Sequence, residues 1–266
     1  MRLKGAVVVV TGASSGIGAA TALAFAKRGA RLELGARRMD RLHGIAQKCR
    51  EAGSPDVNVR HLDVGRDGEA RALIAATLRT HERLDVLVNN AGVGWMGRLH
   101  QMPDERIEEL IATNLKGVIA TTQAVLPWML ARRRGVIINV ASVVGFRAAP
   151  YSAVYSATKH AIVGLSHALR GELSGTGVKV CVVYPAVTAG TEFFGQTERS
   201  AAQYPASWVA NLIVRTAQFP RRDAMVIPIR AVHVAEPVFG GLMDHALGEI
   251  RRRASPELSG TGLPKI

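Results

Sequence analysis

The stretch of sequence that decides the fold is AVVVVTGASSGIG, residues 6–18. Ala6 to Val10 form an unbroken apolar run, rich in β-branched residues, which is typical of a strand buried on both faces of a parallel sheet. The apolar spacing becomes helical from Ile17 to Lys27, and Gly29 follows as a residue suited to a helix C-terminus. The chain is therefore predicted to open with a strand, a glycine loop and a helix.

The same alternation of strand and helix continues for most of the chain. The predicted strands are Leu32 to Ala36, Val57 to Leu62, Asp85 to Val88, Val136 to Val140 and Val178 to Val183, and the predicted helices are Arg41 to Ala52, Glu69 to His81, the region Pro103 to Leu130, and Tyr151 to Leu173. Parallel strands joined by right-handed helical crossovers form a doubly wound α/β sheet, whose ligand site lies beyond the carboxyl ends of the strands.

Toward the C-terminus the periodic pattern weakens. It predicts a helix at Trp208 to Ala217, a short strand at Met225 to Ile227 and a helix near Leu242 to Arg252. Residues 255–266 show neither the apolar spacing of a helix nor that of a strand, and they are typical of a loose tail. We expect one domain over residues 1–254 and a tail over residues 255–266, a division that a length of 266 residues permits.

The composition restricts the classes of function. The net charge is +13, but the runs Arg132 to Arg134 and Arg251 to Arg253 are short and have no interleaved aromatic residues, so we expect no nucleic-acid partner. Two cysteines, Cys49 and Cys181, and scattered histidines form neither a disulfide framework nor a metal motif. We expect a cytoplasmic protein without a metal and, because no apolar stretch is long enough, without a membrane span.

Gly12, Gly16 and Gly18 lie between the first strand and the first helix, with Ser14 and Ser15 among them. Glycines here let the backbone turn sharply and approach a pyrophosphate, which the amides at the helix N-terminus then face. Tight turns between strand and helix also use glycine for structural reasons alone. The position in the first unit of the chain favours the dinucleotide interpretation.

The end of the second predicted strand bears on the choice of nicotinamide cofactor. An acidic residue at this point accepts hydrogen bonds from the adenosine ribose hydroxyls of NAD(H). Here the strand ends at Ala36, and Arg37 and Arg38 follow with guanidinium groups suited to a 2′-phosphate. The sequence favours NADP(H), and the alternative is that the arginines only solvate a loop.

Tyr155 and Lys159 are one turn apart in a predicted helix, so the phenol and the ammonium share a face. A tyrosine ordinarily ionises near pH ~10, and an adjacent cation favours the phenolate. Chance pairs of this kind occur on surface helices, but two further residues join this one. Ser142, after the preceding strand, offers a hydroxyl to a substrate oxygen. Asn114 lies within a predicted helix, where an amide is disfavoured and can hold a water by kinking the hydrogen-bond ladder.

In this order the motifs resemble the short-chain dehydrogenase/reductase family over roughly the first seven-tenths of the sequence. The segment Thr11 to Gly18 resembles the family's cofactor fingerprint. The segment Asn89 to Gly92 resembles the one that steadies the sheet under the adenosine, and Asp63 with Val64 the pair that contacts adenine. The catalytic tetrad that the resemblance implies consists of Asn114, Ser142, Tyr155 and Lys159. The fold that it implies is a single-domain, Rossmann-type, doubly wound parallel sheet flanked by helices.

The resemblance also implies a mechanism. Tyr155 acts as the acid in carbonyl reduction and as the base in alcohol oxidation, while Ser142 orients and polarises the carbonyl. Lys159 favours the phenolate and hydrogen-bonds the nicotinamide ribose, and Asn114 maintains a water that passes protons onward. The cofactor supplies the hydride. The expected cofactor contacts are Gly12, Ser14, Ser15, Gly16, Ile17, Gly18, Arg37, Arg38, Asp63, Val64, Asn90, Ala91, Gly92, Tyr155, Lys159, Pro185 and Thr188.

The chain departs from the family pattern after the sixth strand. Members usually show Pro-Gly and then a threonine that reaches the nicotinamide carboxamide, whereas this chain has Pro185 and Ala186, and its most similar threonine, Thr191, stands one place late. Thr188 is a second candidate, through its backbone amide. The segment Pro237 to Arg253 replaces a glycine-rich ending that members often use in oligomer interfaces.

Partners follow from the same resemblance, which implies a homo-oligomer, either a dimer or a tetramer. The altered ending disfavours the tetramer, and the dimer would use the helices Lys116 to Met129 and Ser156 to Leu173. Leu242, Leu247 and Ile250 beside a basic end are typical of a packed terminal helix, with peripheral contact to an anionic membrane as the alternative.

Five apolar residues fall in loops expected to border the nicotinamide end: Trp95, Val144, Phe146, Phe193 and Phe194. They predict an apolar pocket and a hydrophobic ketone, aldehyde or secondary alcohol as the small-molecule substrate. The substrate contacts that we expect are Ser142, Val144, Tyr155 and Phe193.

Fold alone does not dictate function, so two rival interpretations stand beside the enzyme. A nonenzymatic NADP(H)-binding redox sensor would not require the acid and base residues that this chain keeps. A basic scaffold for acidic partners would show association that depends steeply on salt.

Overall fold

The computed structural model describes residues 1–186, 188–189, 204–225, 245–246 and 248–249. Its strands are β1 (Val7–Thr11), β2 (Arg31–Ala36), β3 (Val57–His61), β4 (Val86–Asn89), β5 (Gly135–Val140), β6 (Val178–Tyr184), β7 (Thr188–Ala189), β8 (Tyr204–Pro205) and β9 (Asp223–Met225). Its helices are α1 (Gly16–Ala26), α2 (Met39–Glu51), α3 (Glu69–His81), α4 (Asp104–Ile111), α5 (Gly117–Ala131), α6 (Ala153–Glu172) and α7 (Ala206–Gln218).

Seven of these strands form one sheet in the order β3-β2-β1-β4-β5-β6-β9, and every neighbouring pair is parallel. The predicted doubly wound α/β sheet is thus confirmed, with element ends that shift by about two residues at most. The strand expected at Met225 to Ile227 begins earlier, at Asp223, and the short pairing of β7 with β8 was not predicted. The expected helix near Leu242 to Arg252 and the tail over residues 255–266 lie outside the described residues.

Two apolar layers enclose the sheet. In β1, Val8 and Val10 face a layer formed mainly by α1, α2 and α7, while Val9 faces the layer formed by α3, α5 and α6. Both faces of a central strand are therefore buried, which is why its sequence is a continuous apolar run instead of an alternating one.

The chain starts β1 in the middle of the sheet and then adds β2 and β3 on one side and β4 to β6 on the other. The loops that leave the carboxyl ends of β1 and β4 consequently diverge. A cleft at this switch point is the usual ligand site of an open parallel sheet.

A buried polar network fixes α5 and α6 on the sheet. The Asn89 amide donates to Asn139 Oδ1 at 2.9 Å, and Asn139 donates to Ser166 Oγ of α6 at 2.9 Å. Thr121 of α5 donates to Asn89 Oδ1 at 2.7 Å. Since buried polar groups are costly unless they are paired, this network defines one arrangement of the two helices over β4 and β5.

Candidate active site

A cleft of about 370 Å³ opens at the carboxyl ends of β1, β2 and β4. The predicted cofactor residues that line it are Gly12, Ser14, Ser15, Gly16, Ile17, Gly18, Arg37, Arg38, Asp63, Val64, Asn90, Ala91 and Gly92. The sequence did not single out the other lining residues as contacts, namely Ala36, Leu62, Val93, Gly94, Arg106, Glu109 and Thr113. Distant segments of the sequence therefore meet in one cavity.

The glycine loop admits no side chain at two positions. Gly12 has a φ of +67°, and a Cβ there would lie 2.8 Å from the Cα of Ala91. A Cβ on Gly18 would lie 2.2 Å from the carbonyl oxygen of Gly12. The glycines thus satisfy a packing requirement at the same time as they leave the cleft open to a ligand.

The segment after β4 is hydrogen-bonded to the end of β1. Asn90 Nδ2 donates to the carbonyl oxygen of Thr11 at 3.0 Å. Thr11 Oγ1 accepts from the backbone amides of Asn90 and Ala91, each at 3.0 Å. Asn90 therefore fixes the glycine loop to the end of β4. These bonds are consistent with the stabilising role that the resemblance implied for the segment Asn89 to Gly92.

Both arginines after β2 are at the cleft. Arg38 Nη2 donates to Ser15 Oγ of the glycine loop at 2.7 Å. Arg37 Nη1 lies 3.4 Å from Glu109 Oε1, and the Arg37 side chain is 52% exposed. Glu109, which belongs to α4, is a carboxylate that the sequence did not place here, because only the packing of α4 brings it to the end of β2.

Asp63 and Val64 form the wall of the cleft beyond β3. Asp63 Oδ1 accepts from the Gly65 amide at 3.0 Å, and Glu69 Oε2 accepts from the Asp63 amide at 2.7 Å. Val64 is buried, and a Cβ on Gly117 would lie 2.7 Å from its Cβ. The wall is therefore held by backbone contacts on one side and by the start of α5 on the other.

Tyr155 and Lys159 lie together at the carboxyl end of β5. Both side chains are buried, and Lys159 Nζ is 5.7 Å from the centre of the Tyr155 ring. Lys159 Nζ also donates to the carbonyl oxygen of Val140 at 3.1 Å. This bond directs the ammonium toward the strand end, beside the phenol, as the helical spacing predicted.

Ser142 begins a short 3₁₀ turn, Val143–Gly145, next to this pair. The Val143 amide donates to the carbonyl oxygen of Pro185 at 2.9 Å, so the turn is tied to the end of β6. A Cβ on Gly145 would lie 3.0 Å from the backbone oxygen of Lys159, and this glycine lets the turn approach α6. The turn that follows Ser142 thus contacts both Pro185 and the backbone of Lys159, although none of these three residues lines the cleft described above.

Asn114 lies in a π-helical segment, Ala112–Lys116, between α4 and α5. The helical hydrogen-bond pattern therefore changes at Asn114, in a form that often marks functional positions. The buried Asn114 carboxamide bonds to both backbone groups of Val93, at 2.8 and 2.9 Å, and donates to Thr158 Oγ1 at 3.2 Å. Its side chain thus joins the loop after β4 to α6, a link that the sequence did not reveal.

Apolar side chains surround Tyr155. Trp95 and Val144 pack with it in one cluster, together with Met102 and Leu110. Phe146 instead packs against Tyr184 in a tilted arrangement, with ring centres 4.3 Å apart, and thereby supports the turn after Ser142. Phe193, Phe194 and Thr191 lie outside the described residues, and the Thr188 hydroxyl donates to the Ala186 carbonyl oxygen at 2.8 Å.

Lys159 makes stability depend on pH. Burial lowers the pKa of its ammonium to about 8, whereas an unfolded lysine keeps its proton to about pH 10.4. Between these values the unfolded chain binds more protons than the folded one, so the contribution of Lys159 to the free energy of unfolding should rise with pH, by an amount on the order of 2 kcal/mol. Unfolding by denaturant, carried out at pH values from 7 to 10 in steps of about one unit, measures this change in the free energy of unfolding.

The matched variant for this measurement is Lys159→Met, which keeps an unbranched side chain, one atom shorter, and removes the titrating group. It is needed because burial raises the pKa of the Cys49 and Cys181 thiols to about 11, which lowers stability over part of the same range. The wild-type curve should therefore climb relative to the variant curve above pH ~8. Parallel curves would contradict the burial of a titrating amine at this site.

Known proteins share both the sequence pattern and the architecture. The family model for short chain dehydrogenase matches residues 6–202. An uncharacterized oxidoreductase of Staphylococcus saprophyticus is 40% identical over 185 residues, which are 69% of this chain and 74% of that protein. A short chain dehydrogenase/reductase from Burkholderia phymatum in complex with NAD has a TM-score of 0.82 and 27% identity, covering 91% of this chain and 96% of that one.

A short-chain dehydrogenase from Sphingobium yanoikuyae in complex with NADPH has a TM-score of 0.77 and 30% identity, covering 90% of this chain and 96% of that one. The family model covers well over half of the sequence, including the glycine loop, Ser142, Tyr155 and Lys159. On these matches, the chain belongs to the short-chain dehydrogenase/reductase family of oxidoreductases.

Proposed function

We propose that the protein is an NADP(H)-dependent enzyme that interconverts an apolar ketone or aldehyde and its alcohol by hydride transfer, with Tyr155 as the acid and base. The observation that carries the proposal is the meeting of Tyr155 and Lys159 at the end of β5, 5.7 Å apart from ring centre to Nζ, beside the turn of Ser142. All three lie at the same edge of the sheet as the cleft. A substrate carbonyl beside Tyr155 and Ser142 would meet a proton donor and a hydroxyl at once.

The residues of the cleft fit a dinucleotide. Gly12 and Gly18 leave room where a Cβ would collide with backbone, and the first residues of α1, Gly16, Ile17 and Gly18, line the cleft, where amides at a helix N-terminus would suit a pyrophosphate. When bound, the nicotinamide supplies or accepts the hydride. Tyr155 holds the proton that the substrate oxygen gains or loses, and Lys159 favours the phenolate through its charge.

The apolar side chains next to Tyr155 support an apolar substrate. Trp95 and Val144 pack around the phenol, in a cluster that also contains Met102 and Leu110. An apolar wall excludes water from the reacting oxygen and strengthens the electrostatic effect of Lys159. Ser142 would then supply the specific hydrogen bond for the carbonyl, and we propose that Asn114 maintains a water that receives protons from Lys159.

The proposed preference for NADP(H) rests on the guanidinium groups of Arg37 and Arg38, which follow the end of β2. The strand itself ends in Ala36 and not in an acidic residue. The relatives leave the choice open, since the Burkholderia structure holds NAD and the Sphingobium structure holds NADPH. A bidentate guanidinium contact to phosphate is stronger than a contact to a ribose hydroxyl. The charge of the cleft mouth therefore favours the phosphorylated cofactor.

Arg37→Asp should raise the Michaelis constant for NADPH by at least about tenfold and change that for NADH by less than about threefold, because one favourable charge contact to the phosphate becomes a repulsive one. Steady-state rates with both cofactors measure this. Arg71→Asp is the matched control, because it makes the same charge change on α3, where Arg71 bonds to Gln123 away from the cleft. An unchanged ratio of the two Michaelis constants in Arg37→Asp would end the assignment.

We further propose a single domain over residues 1–254 that forms a homodimer through α5 and α6. A cytoplasmic location fits the two cysteines, which are buried free thiols. In the described part of the chain, no group of three or more His, Cys, Asp or Glu side chains is arranged to hold a metal ion, and the proposed mechanism uses none.

A further inference from the structure

A carboxylate lies among the guanidinium groups at the mouth of the cleft. Glu109, in the second turn of α4, has its Oε1 atom 3.4 Å from Arg37 Nη1, and its Oε2 atom accepts a hydrogen bond from Arg106 Nη1. All three residues line the cleft. One carboxylate therefore bridges an arginine that follows β2 and an arginine of its own helix.

The two arginines after β2 have different partners. Arg38 Nη2 donates to Ser15 Oγ at 2.7 Å, which directs this guanidinium to the glycine loop. Arg37 is directed toward Glu109 of α4 instead. A carboxylate and a phosphate offer a guanidinium the same kind of charged oxygen acceptor. The partner of Arg37 in this structure is thus an anion of the kind that the proposed function brings to Arg37.

Stability of the fold gives little reason for a carboxylate at Glu109. The helix dipole favours acidic residues in the first turn, where α4 already has Asp104 and Glu105. The pair of Arg106 with Glu109, three positions apart, stabilises a helix only weakly. The contact with Arg37 joins two partly exposed side chains, and ion pairs of this kind add little to the stability of a protein. The charge of Glu109 therefore matters more for what enters the cleft than for the fold.

A phosphate on Arg37 would meet Glu109 as a competitor. Both anions accept from the same guanidinium, and at that distance they repel each other. The contact of Glu109 with Arg37 is the longer of its two, so it is the one that yields. The contact with Arg106 lies within one helix and can persist. Arg106 would then offset the charge of Glu109 while the phosphate occupies Arg37.

We propose that Glu109 is a specificity-determining residue, which pairs with Arg37 until the 2′-phosphate of NADP(H) displaces it and which Arg106 then retains. The inference rests on the proposed use of NADP(H). NADP(H) must displace Glu109 and NAD(H) need not, so Glu109 lowers the affinity for the phosphorylated cofactor alone. The preference that Arg37 and Arg38 create is therefore smaller than these two arginines would give without α4.

Glu109→Gln tests the competition with two nucleotides that differ only in the 2′-phosphate, adenosine 2′,5′-bisphosphate and adenosine 5′-monophosphate. Isothermal titration calorimetry gives the dissociation constant of each. The variant should bind the bisphosphate at least about fivefold more tightly than the wild type, because the repulsion between two anions is removed. Binding of the monophosphate should change by less than about twofold, and the gain for the bisphosphate should shrink as salt is added.

Glu51→Gln is the matched control, because it makes the same charge change at the end of α2, where Glu51 accepts from Gln47 away from the cleft. Both dissociation constants should stay within about twofold of the wild-type values, since exposed charges farther apart than a Debye length of about 10 Å are largely screened. Tighter binding of the bisphosphate by this control to the same extent as by Glu109→Gln would overturn the proposal, because net charge alone would then account for the effect.

The sign of the effect distinguishes competition from other roles of Glu109. If Glu109 only held α4 against the end of β2, its loss would leave both nucleotides bound as before or more weakly. If Glu109 accepted a hydrogen bond from the ribose, the monophosphate would bind more weakly to Glu109→Gln. Either result would overturn the proposal.

Arg106→Gln tests whether Arg106 retains Glu109. Without Arg106, Glu109 pairs with Arg37 alone, so the bisphosphate should bind about threefold more weakly or worse, since an ion pair of this kind changes affinity by no more than a small factor. The same substitution in the Glu109→Gln background should have a smaller effect, because no carboxylate remains to be held. Equal losses in the two backgrounds would show that Arg106 does not hold Glu109, and that part of the proposal would be wrong.

These binding measurements require no turnover, so their failure is distinguishable from a failure of the proposed function. Unchanged affinities in Glu109→Gln, beside a wild-type preference for the bisphosphate over the monophosphate, would reject this inference alone. Equal affinities for the two nucleotides in the wild type and in Glu109→Gln would reject the preference for NADP(H) as well. A failure of the acid and base role of Tyr155 would leave all of these dissociation constants as they are.

Discussion

Tyr155→Phe is expected to lower kcat for carbonyl reduction by about 10² to 10⁴-fold, the usual contribution of a positioned acid or base. The substitution removes the Tyr155 hydroxyl, which is the group that exchanges a proton with the substrate oxygen in the proposed mechanism. The phenyl ring still fills the apolar cluster with Trp95 and Val144, so the fold should be kept. The dissociation constant for NADPH, measured by fluorescence titration, should change by less than about threefold, because the hydroxyl contributes at most one hydrogen bond to the cofactor.

The matched control is Tyr184→Phe, which also removes a phenol hydroxyl. Tyr184 is buried and donates to Asp223 at 3.1 Å, so its loss should reduce stability while kcat stays within about threefold of the wild-type value. Following NADPH absorbance with a panel of ketones, aldehydes, quinones and sterols identifies the substrate for both variants. Near wild-type turnover in Tyr155→Phe would reject the mechanism. NADPH binding by the wild type without turnover of any compound would instead indicate the redox sensor.

Gly18→Ala is expected to weaken NADPH binding by at least about thirtyfold. The added Cβ would lie 2.2 Å from the Gly12 carbonyl oxygen and 2.6 Å from Asn90 Nδ2, and neither is the free end of a flexible chain. Asn90 is held by Thr11, so the loop itself must move and the amides that face the pyrophosphate move with it. The dissociation constant follows from fluorescence titration, and circular dichroism shows that the variant remains folded.

Gly44→Ala is the matched control for this substitution. A Cβ on Gly44 meets nothing within 4 Å, and the residue lies inside α2. Alanine in a helix interior is favoured over glycine by about 1 kcal/mol, so this variant should be slightly more stable and should bind NADPH normally. If Gly18→Ala bound NADPH as tightly as Gly44→Ala, the glycine loop would not be the cofactor cradle.

The fold was predictable because its signals are local. The apolar run Val7 to Val10 is continuous because β1 is covered on both faces. The helix expected over Ile17 to Lys27 forms over Gly16–Ala26, one residue earlier at each end. The short pairing of β7 with β8 has no such signal. Each of these strands has two residues, and their contact depends on the position of the rest of the chain.

The residues of the candidate site could be predicted from the sequence more fully than the contacts that these residues make. The spacing of Tyr155 and Lys159 placed both on one face of a helix, and the structure brings them together there. The partner of Lys159, the Val140 carbonyl oxygen, is 19 positions away along the chain, and the bonds of Asn114 to Val93 span 21. Glu109 next to Arg37 is a contact across 72 positions. The hydrophobic periodicity of a sequence carries no information on contacts between residues so far apart.

The sequence by itself determined the order of strands and helices, the glycine turn and the position of a phenol and an amine on one helix face, because each depends on neighbours within one or two turns of the backbone. Tertiary structure alone decided how the wall of the cleft is built and which carboxylate meets Arg37. These features arise when parallel strands align their ends, so residues far apart in the sequence become neighbours only after the sheet has assembled.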